Sequence, residues 1–166
     1  AIGNKSKIVT TLQNMASVYK RRKEFDSYLE MHVEILTVRQ AQFGCNDARV
    51  ADAWVQVGNI LVSLCRLEEA TVSYEEALRV QTHLHGPNHT SVARILFKFG
   101  SLYSKQNKFT EAKDMLEEYT RIRATEVDDP DGEMAKALTM LGDLQKEAGE
   151  KSKAQINWTS AMNIYQ

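Results

Sequence analysis

His83, His85 and His89 lie close together in the chain, and an internal repeat brings Cys45 into register with them. Imidazole and thiolate are zinc ligands, so this is the first place to look for metal chemistry. The more ordinary reading is a capped loop with exposed imidazoles. Neither Cys45 nor Cys65 has a His and Asp arranged around it that would make a nucleophile. The carboxylate pairs Glu68-Glu69, Glu75-Glu76 and Glu117-Glu118 recur in register, which marks a solvated outer face rather than a general acid and base. No Gly-rich phosphate loop and no zinc-binding helix motif occurs. The sequence therefore predicts no catalytic residue, no metal and no cofactor.

What would position any site is a repeat. Ile8, Val50, Val92 and Met134 stand 42 residues apart, with no insertions or deletions. Counting each as column one, the fifth column reads Leu12, Trp54, Leu96, Leu138, and the eighth Met15, Val57, Phe99, Leu141. The ninth reads Ala16, Gly58, Gly100, Gly142, and the twenty-fifth His32, Tyr74, Leu116, Trp158. Apolar columns at five, eight and eleven form one face of a helix, and a second set from column twenty-one onward forms another. Short turns such as Gln106-Asn107-Lys108 and Ala148-Gly149-Glu150 separate them, so each repeat is a helix-turn-helix pair. Small residues in columns nine and twenty-one let the paired helices approach closely. Gly44 and Gly86 suit left-handed C-terminal caps, with Asp128 in that column of the third repeat. Pro87 and Pro130 fall in connecting loops, and Thr110 is the expected N-cap of the third repeat's second helix. Trp54 and Trp158 fall in apolar columns and read as core.

These columns resemble tetratricopeptide repeats. The small-Gly-Tyr run appears at Gly100-Ser101-Leu102-Tyr103, and the Ala-aromatic-Ala run as Ala70, Tyr74 and Ala77. The 42-residue length, with the run His-Gly-Pro-Asn-His-Thr-Ser-Val-Ala at 85–93, is similar to the kinesin light chain and nephrocystin type of repeat. The resemblance implies an all-α, right-handed superhelical solenoid of four repeats (8–49, 50–91, 92–133 and 134–166) forming one domain over 1–166. Tyr28, Gln145 and Lys151 depart from the pattern.

The resemblance also implies a concave groove, lined by first helices, that takes a peptide or helix from a protein partner. The columns involved hold Gln13, Asn14, Ser17, Lys20 and Arg21 in the first repeat and Val55, Gln56 and Asn59 in the second. In the third they hold Arg94, Phe97, Lys98, Ser101 and Lys105. Lys20, Arg21, Arg94, Lys98 and Lys105 face Asp52 as the one acid of these columns in the first three repeats, in a chain of net charge -1. That balance favours an acidic peptide, Val55, Val62 and Phe97 offer apolar pockets for an anchor, and the amides can hold its backbone. Chaperone-binding members of the family clamp a terminal carboxylate. Here Arg94 and Lys98 match that clamp by charge, while Gln13, Ser17 and Gln56 do not match its Lys and Asn positions.

Composition excludes other classes. The chain is 43% hydrophobic and 26% charged, with nothing in its net charge to draw it to nucleic acid or membrane. Phe97 is the one aromatic among the basic columns, too few for a base-stacking surface. Two cysteines and no signal-peptide pattern predict free thiols in the cytoplasm. The glycosylation matches at Asn4, Asn88 and Asn157 read as chance. The absence of an initial Met predicts a piece of a longer protein. The alternative to peptide binding is self-association through open solenoid ends, at Ile8 and Leu12 and at Trp158, Ile164 and Tyr165.

Overall fold

The computed structural model describes residues 2–124 and 132–165. Helices α1 (Ile2–Arg22), α2 (Phe25–Phe43), α3 (Ala48–Ser63) and α4 (Leu67–His85) lie in one compact unit, residues 1–86. Helices α5 (Thr90–Lys105), α6 (Phe109–Arg123), α7 (Glu133–Glu147) and α8 (Lys151–Ile164) lie in a second, residues 87–166. Among the described residues every regular element is a helix. In the first unit α1 packs on α2, α2 on α3 and α3 on α4; in the second, α5 packs on α6, α6 on α7 and α7 on α8.

Three local devices set the helix ends. The turn inside each pair places column sixteen in the left-handed region: Lys23 at φ 62°, Cys65 and Asn107 at 59°, and Gly149 at 81°. Three of these residues carry a Cβ, so the turn stores backbone strain that glycine would not. Gly44 and Gly86 end α2 and α4, with amides donating to Gln40 O and Thr82 O at 2.9 Å. Their φ of 79° and 82° is positive as expected, but ψ is 168° and 165°. That is not the left-handed helical cap but an extended mirror conformation that glycine alone adopts readily. First helices of the middle repeats are capped from the loop. The Asp47 carboxylate accepts from the Arg49 amide, and His89 Nδ1 accepts from the Ser91 amide. Thr110 is no N-cap: α6 starts at Phe109, and Thr110 lies in its first turn. Asp128 and Pro130 lie outside the described residues.

The close-approach columns behave as their sizes require. Ala70, Ala112 and Ala154 are fully buried. A Cβ on Gly100 would stand 2.6 Å from Leu116 Cγ, and Cβ atoms on Gly58 and Gly142 would run into the rings of Tyr74 and Trp158. Column nine therefore carries the weight of column twenty-five in three repeats. The apolar columns are not equally buried. Val50, Val57 and Ile60 of α3 are 0%, 4% and 5% exposed, whereas their counterparts Ile8, Met15 and Val18 of α1 are 41%, 41% and 37% exposed. In the first unit α2 packs on α3 as well as on α1, so α3 is covered on a face that α1 leaves open. Leu12 is buried and Trp158 half-buried, so neither belongs to an exposed end, whereas Ile164 and Tyr165 are exposed.

Second helices carry an interaction the columns did not reveal. Arg79 pairs with Glu76 and donates to Asn46 Oδ1 at 2.9 Å. Arg121 repeats this with Glu118 and Asn88. Each arginine reaches back 33 residues to the loop that precedes its own helix pair. The recurring glutamates are thus outer-face ion-pair partners, a modest contribution for exposed groups.

Candidate functional site

Each unit offers a polar first-helix face, built by the same logic: apolar columns turn inward and the columns between them are left outside. In the first unit Gln13, Asn14, Ser17, Lys20, Arg21 and Gln56 are exposed, and Val55 and Asn59 are half-buried. Ser17 spends its hydroxyl proton on Gln13 O of its own helix at 2.9 Å, which leaves it an acceptor. Lys20 Nζ sits 5.8 Å from the centre of the Tyr28 ring, an attraction that steadies the ammonium. Beside it, His32 meets Tyr28 edge to face, and its pKa is lowered by burial, with Arg39 and Lys20 adding to the effect. Asn59 is the most constrained of the set: the Tyr74 hydroxyl donates to its Oδ1 at 2.8 Å.

In the second unit Arg94 and Lys105 are exposed, and Lys98 and Ser101 half-buried. Two expectations change here. Phe97 is not an anchor pocket: it is 8% exposed, and its ring packs 5.3 Å from that of Tyr119 on α6, so it belongs to the core. Lys98 is not a free cation either. Its Nζ stands 3.8 Å from Glu133 Oε1, and the Glu133 side chain is only 13% exposed. The basic character of this unit's face therefore rests on Arg94 and Lys105. Asp143 and Trp158 add a pair on α7 and α8, with indole Nε1 donating to Oδ1 at 3.1 Å.

The remaining candidates fall elsewhere. His83 and His85 are exposed in the last turn of α4, while His89 caps α5. Among the described residues no three His, Cys, Asp or Glu side chains converge as a metal site, and no helix is long and apolar enough to cross a membrane. Cys45 and Cys65 are exposed and free. Asn88 and Asn157 both have engaged carboxamides, Asn88 accepting from Arg121 and Asn157 donating to Gln145 Oε1 at 2.8 Å. Trp54 shares a cavity of about 300 Å³ with Leu29, Val33 and Val72, so it is less enclosed than a core residue.

Sequence reasoning missed Tyr74 and Glu133 as parts of these faces. A buried tyrosine hydroxyl needs a partner, and that requirement was the available signal for Tyr74. Glu133 could not be found so simply, because its partner lies 35 positions away on another helix.

The helix pairs, with their small-residue contacts, match known proteins. A family model described as "Tetratricopeptide repeat" matches residues 49–125. These are tetratricopeptide repeats. The chain is similar to proteins of the kinesin light chain type. It is 32% identical over 108 residues to Protein KINESIN LIGHT CHAIN-RELATED 1 of Arabidopsis thaliana, covering 65% of this chain and 17% of that protein. It is 25% identical over 152 residues to Protein KINESIN LIGHT CHAIN-RELATED 3 of the same organism, covering 91% of this chain and 23% of that one. The chain thus spans about a fifth of the length of these relatives. The crystal structure of BtubC (BKLC) from P. vanneervenii superposes with a TM-score of 0.83 at 24% identity, over 95% of this chain and 63% of that one. The likeness shows the fold, an all-α tetratricopeptide solenoid. Such folds are in general scaffolds for protein-protein interaction, without enzymatic activity of their own.

Proposed function

We propose that the first-helix face of each unit binds an acidic peptide segment carrying an apolar anchor, making this chain an adaptor rather than an enzyme. One observation carries the reading: Lys20 and Arg21 on α1 and Arg94 and Lys105 on α5 stay exposed, the first pair on a helix that also exposes Gln13 and Asn14. Arginine and lysine supply attraction to carboxylates, and Gln13, Asn14, Gln56 and Asn59 supply donors and acceptors for a main chain. Val55, half-buried and without a polar group, replaces Phe97 as the apolar contact. The setting is a reducing one such as the cytoplasm, consistent with two exposed free thiols.

The test is fluorescence anisotropy with a labelled peptide of Asp and Glu residues around a central tryptophan. Wild type binds it, the double variant Arg21→Glu/Arg94→Glu, which reverses a charge on each unit's face, weakens it at least about tenfold, and added salt weakens it further. Binding indifferent to both reversals would sink the reading, as would no binding at all.

A second reading, self-association, is favoured by the open face of α1. Ile8, Met15 and Val18 are exposed in columns that are buried in α3. If that face pairs with another copy, sedimentation shows a mass that rises with concentration, and Met15→Lys abolishes the rise. A constant monomer mass at high concentration rules it out.

A further inference from the structure

The contact between Gly58 and Tyr74 does more than pack two helices. With no Cβ at Gly58, the Tyr74 ring lies against the α3 backbone, 2% exposed. A ring in that place carries its hydroxyl to the residue after the glycine, and Asn59 Oδ1 is there at 2.8 Å. The same construction recurs in the second unit, where Trp158 lies on Gly142 and its Nε1 reaches Asp143 Oδ1 at 3.1 Å. Where the residue on the glycine has no polar tip, as with Leu116 on Gly100, the next residue is Ser101, which needs no orienting partner of that kind. In both aromatic cases a donor from the second helix holds an acceptor on the first-helix face.

A carboxamide has one acceptor atom and one donor group, so holding the oxygen fixes where the nitrogen can be. Among the described residues none accepts from Asn59 Nδ2. The phenol keeps its proton throughout the working range, since burial pushes its pKa up to about 12.

We propose that Tyr74 is a positioning residue: by holding Asn59 Oδ1 it fixes the Asn59 carboxamide so that Nδ2 is presented as a directed donor for a main-chain carbonyl of the bound peptide. The ligand half of this rests on the peptide-binding reading above, while the positioning half stands on geometry alone. Preorganising the amide removes the rotamer ordering that binding would otherwise require.

Two readouts separate the halves. The first needs no ligand: the Asn59 side-chain amide is followed by NMR relaxation in the full chain, with Asn59→Ala identifying its signal. In Tyr74→Phe the ring still covers Gly58, so the backbone spectrum is retained, but the Asn59 amide becomes mobile on the nanosecond scale. An amide as ordered in Tyr74→Phe as in wild type overturns the positioning role. The second readout uses the labelled acidic tryptophan peptide. Tyr74→Phe weakens it about 2- to 10-fold, the range of one neutral hydrogen bond. Asn59→Asp, which still accepts from Tyr74 but cannot donate, weakens it as much as Asn59→Ala does. Tyr74→Phe adds no further loss on top of Asn59→Ala. Losses that add, or Asn59→Asp binding like wild type, overturn the donor assignment. If wild type binds no peptide, the groove reading and the donor's role in it fall together, while the relaxation data still decide whether Tyr74 positions Asn59.

Discussion

Replacing Gly100 by alanine puts the packing argument to a sharp test, because two effects of opposite sign compete. Gly100 is inside α5, where alanine is intrinsically better than glycine by about 1 kcal/mol. On propensity alone Gly100→Ala stabilises. The added Cβ, however, would stand 2.6 Å from Leu116 Cγ, 2.7 Å from Cδ2 and 3.4 Å from Cδ1. Cγ is the branch point of a side chain with no solvent exposure, so it cannot swing aside as the tip of a lysine could. Overpacking of this kind costs about 1–3 kcal/mol, and a clash at a branch point belongs at the upper end. The net expectation is a loss of about 1–2 kcal/mol. The assay is urea unfolding followed by helical circular dichroism, comparing wild type, Gly100→Ala, Leu116→Ala and the double variant. Leu116→Ala alone opens a cavity and loses about 2–5 kcal/mol. In its presence the new methyl at position 100 has room, so the second substitution is neutral or stabilising and the cycle is strongly non-additive. A Gly100→Ala protein more stable than wild type, or two effects that simply add, would refute the close-approach account of column nine.

Other outcomes follow from other features. Gly86→Ala meets no atom within 4 Å, so its cost is purely the backbone strain of φ 82° and ψ 165°, about 1–3 kcal/mol in the same unfolding assay, and it is not relieved by trimming any neighbour. Cys65→Gly relieves a left-handed Cβ at φ 59°, and a small rise in thermal midpoint, set against glycine's greater freedom when unfolded, is expected. Glu150 is held down to about 2 by hydrogen bonds from Lys113 and then Lys153, so the folded form binds protons later than the unfolded one. Its stabilisation is complete above the ordinary glutamate range and is lost as pH falls from about 4.5 toward about 2, so a pH series of melting curves should show Glu150→Gln with a shallower acid limb than wild type. His32 shows linkage of the same sign, here in a base. Its pKa is lowered in the folded state, so stability declines as pH drops below 6.5, and His32→Gln removes that slope.

The pairs of helices were legible because one column pattern recurs four times, and periodicity averages out the noise of any single repeat. The small residues Gly58, Gly100 and Gly142 were legible for the same reason, whereas their contacts with Tyr74, Leu116 and Trp158 in column twenty-five came from the structure. What could not be read was how far each side chain is covered. Met15 occupies the column of Val57, yet one is 41% exposed and the other 4%, because coverage depends on the helix packed beyond and not on the residue. Phe97 fell in a column expected to face a ligand, and Tyr119 on α6 encloses it. Lys98 looked like a free cation because Glu133 lies outside the columns that were counted. The polar half of the candidate faces was therefore found by type, while its electrostatics depended on contacts between helices that no column contains.

Within each unit, every helix packs on its neighbours in sequence. Among the described residues even the farthest-reaching side-chain hydrogen bond, from Lys113 to Glu150, spans 37 residues. No segment has to wait for a distant one before it can bury its apolar face, so loop-closure entropy is low and folding should be fast for the chain's length. Damage stays local for the same reason. A destabilised pair can open while its neighbour stays folded, which gives the array a graded unfolding instead of a single cooperative one. Hydrogen exchange would then report a separate opening energy for each helix pair.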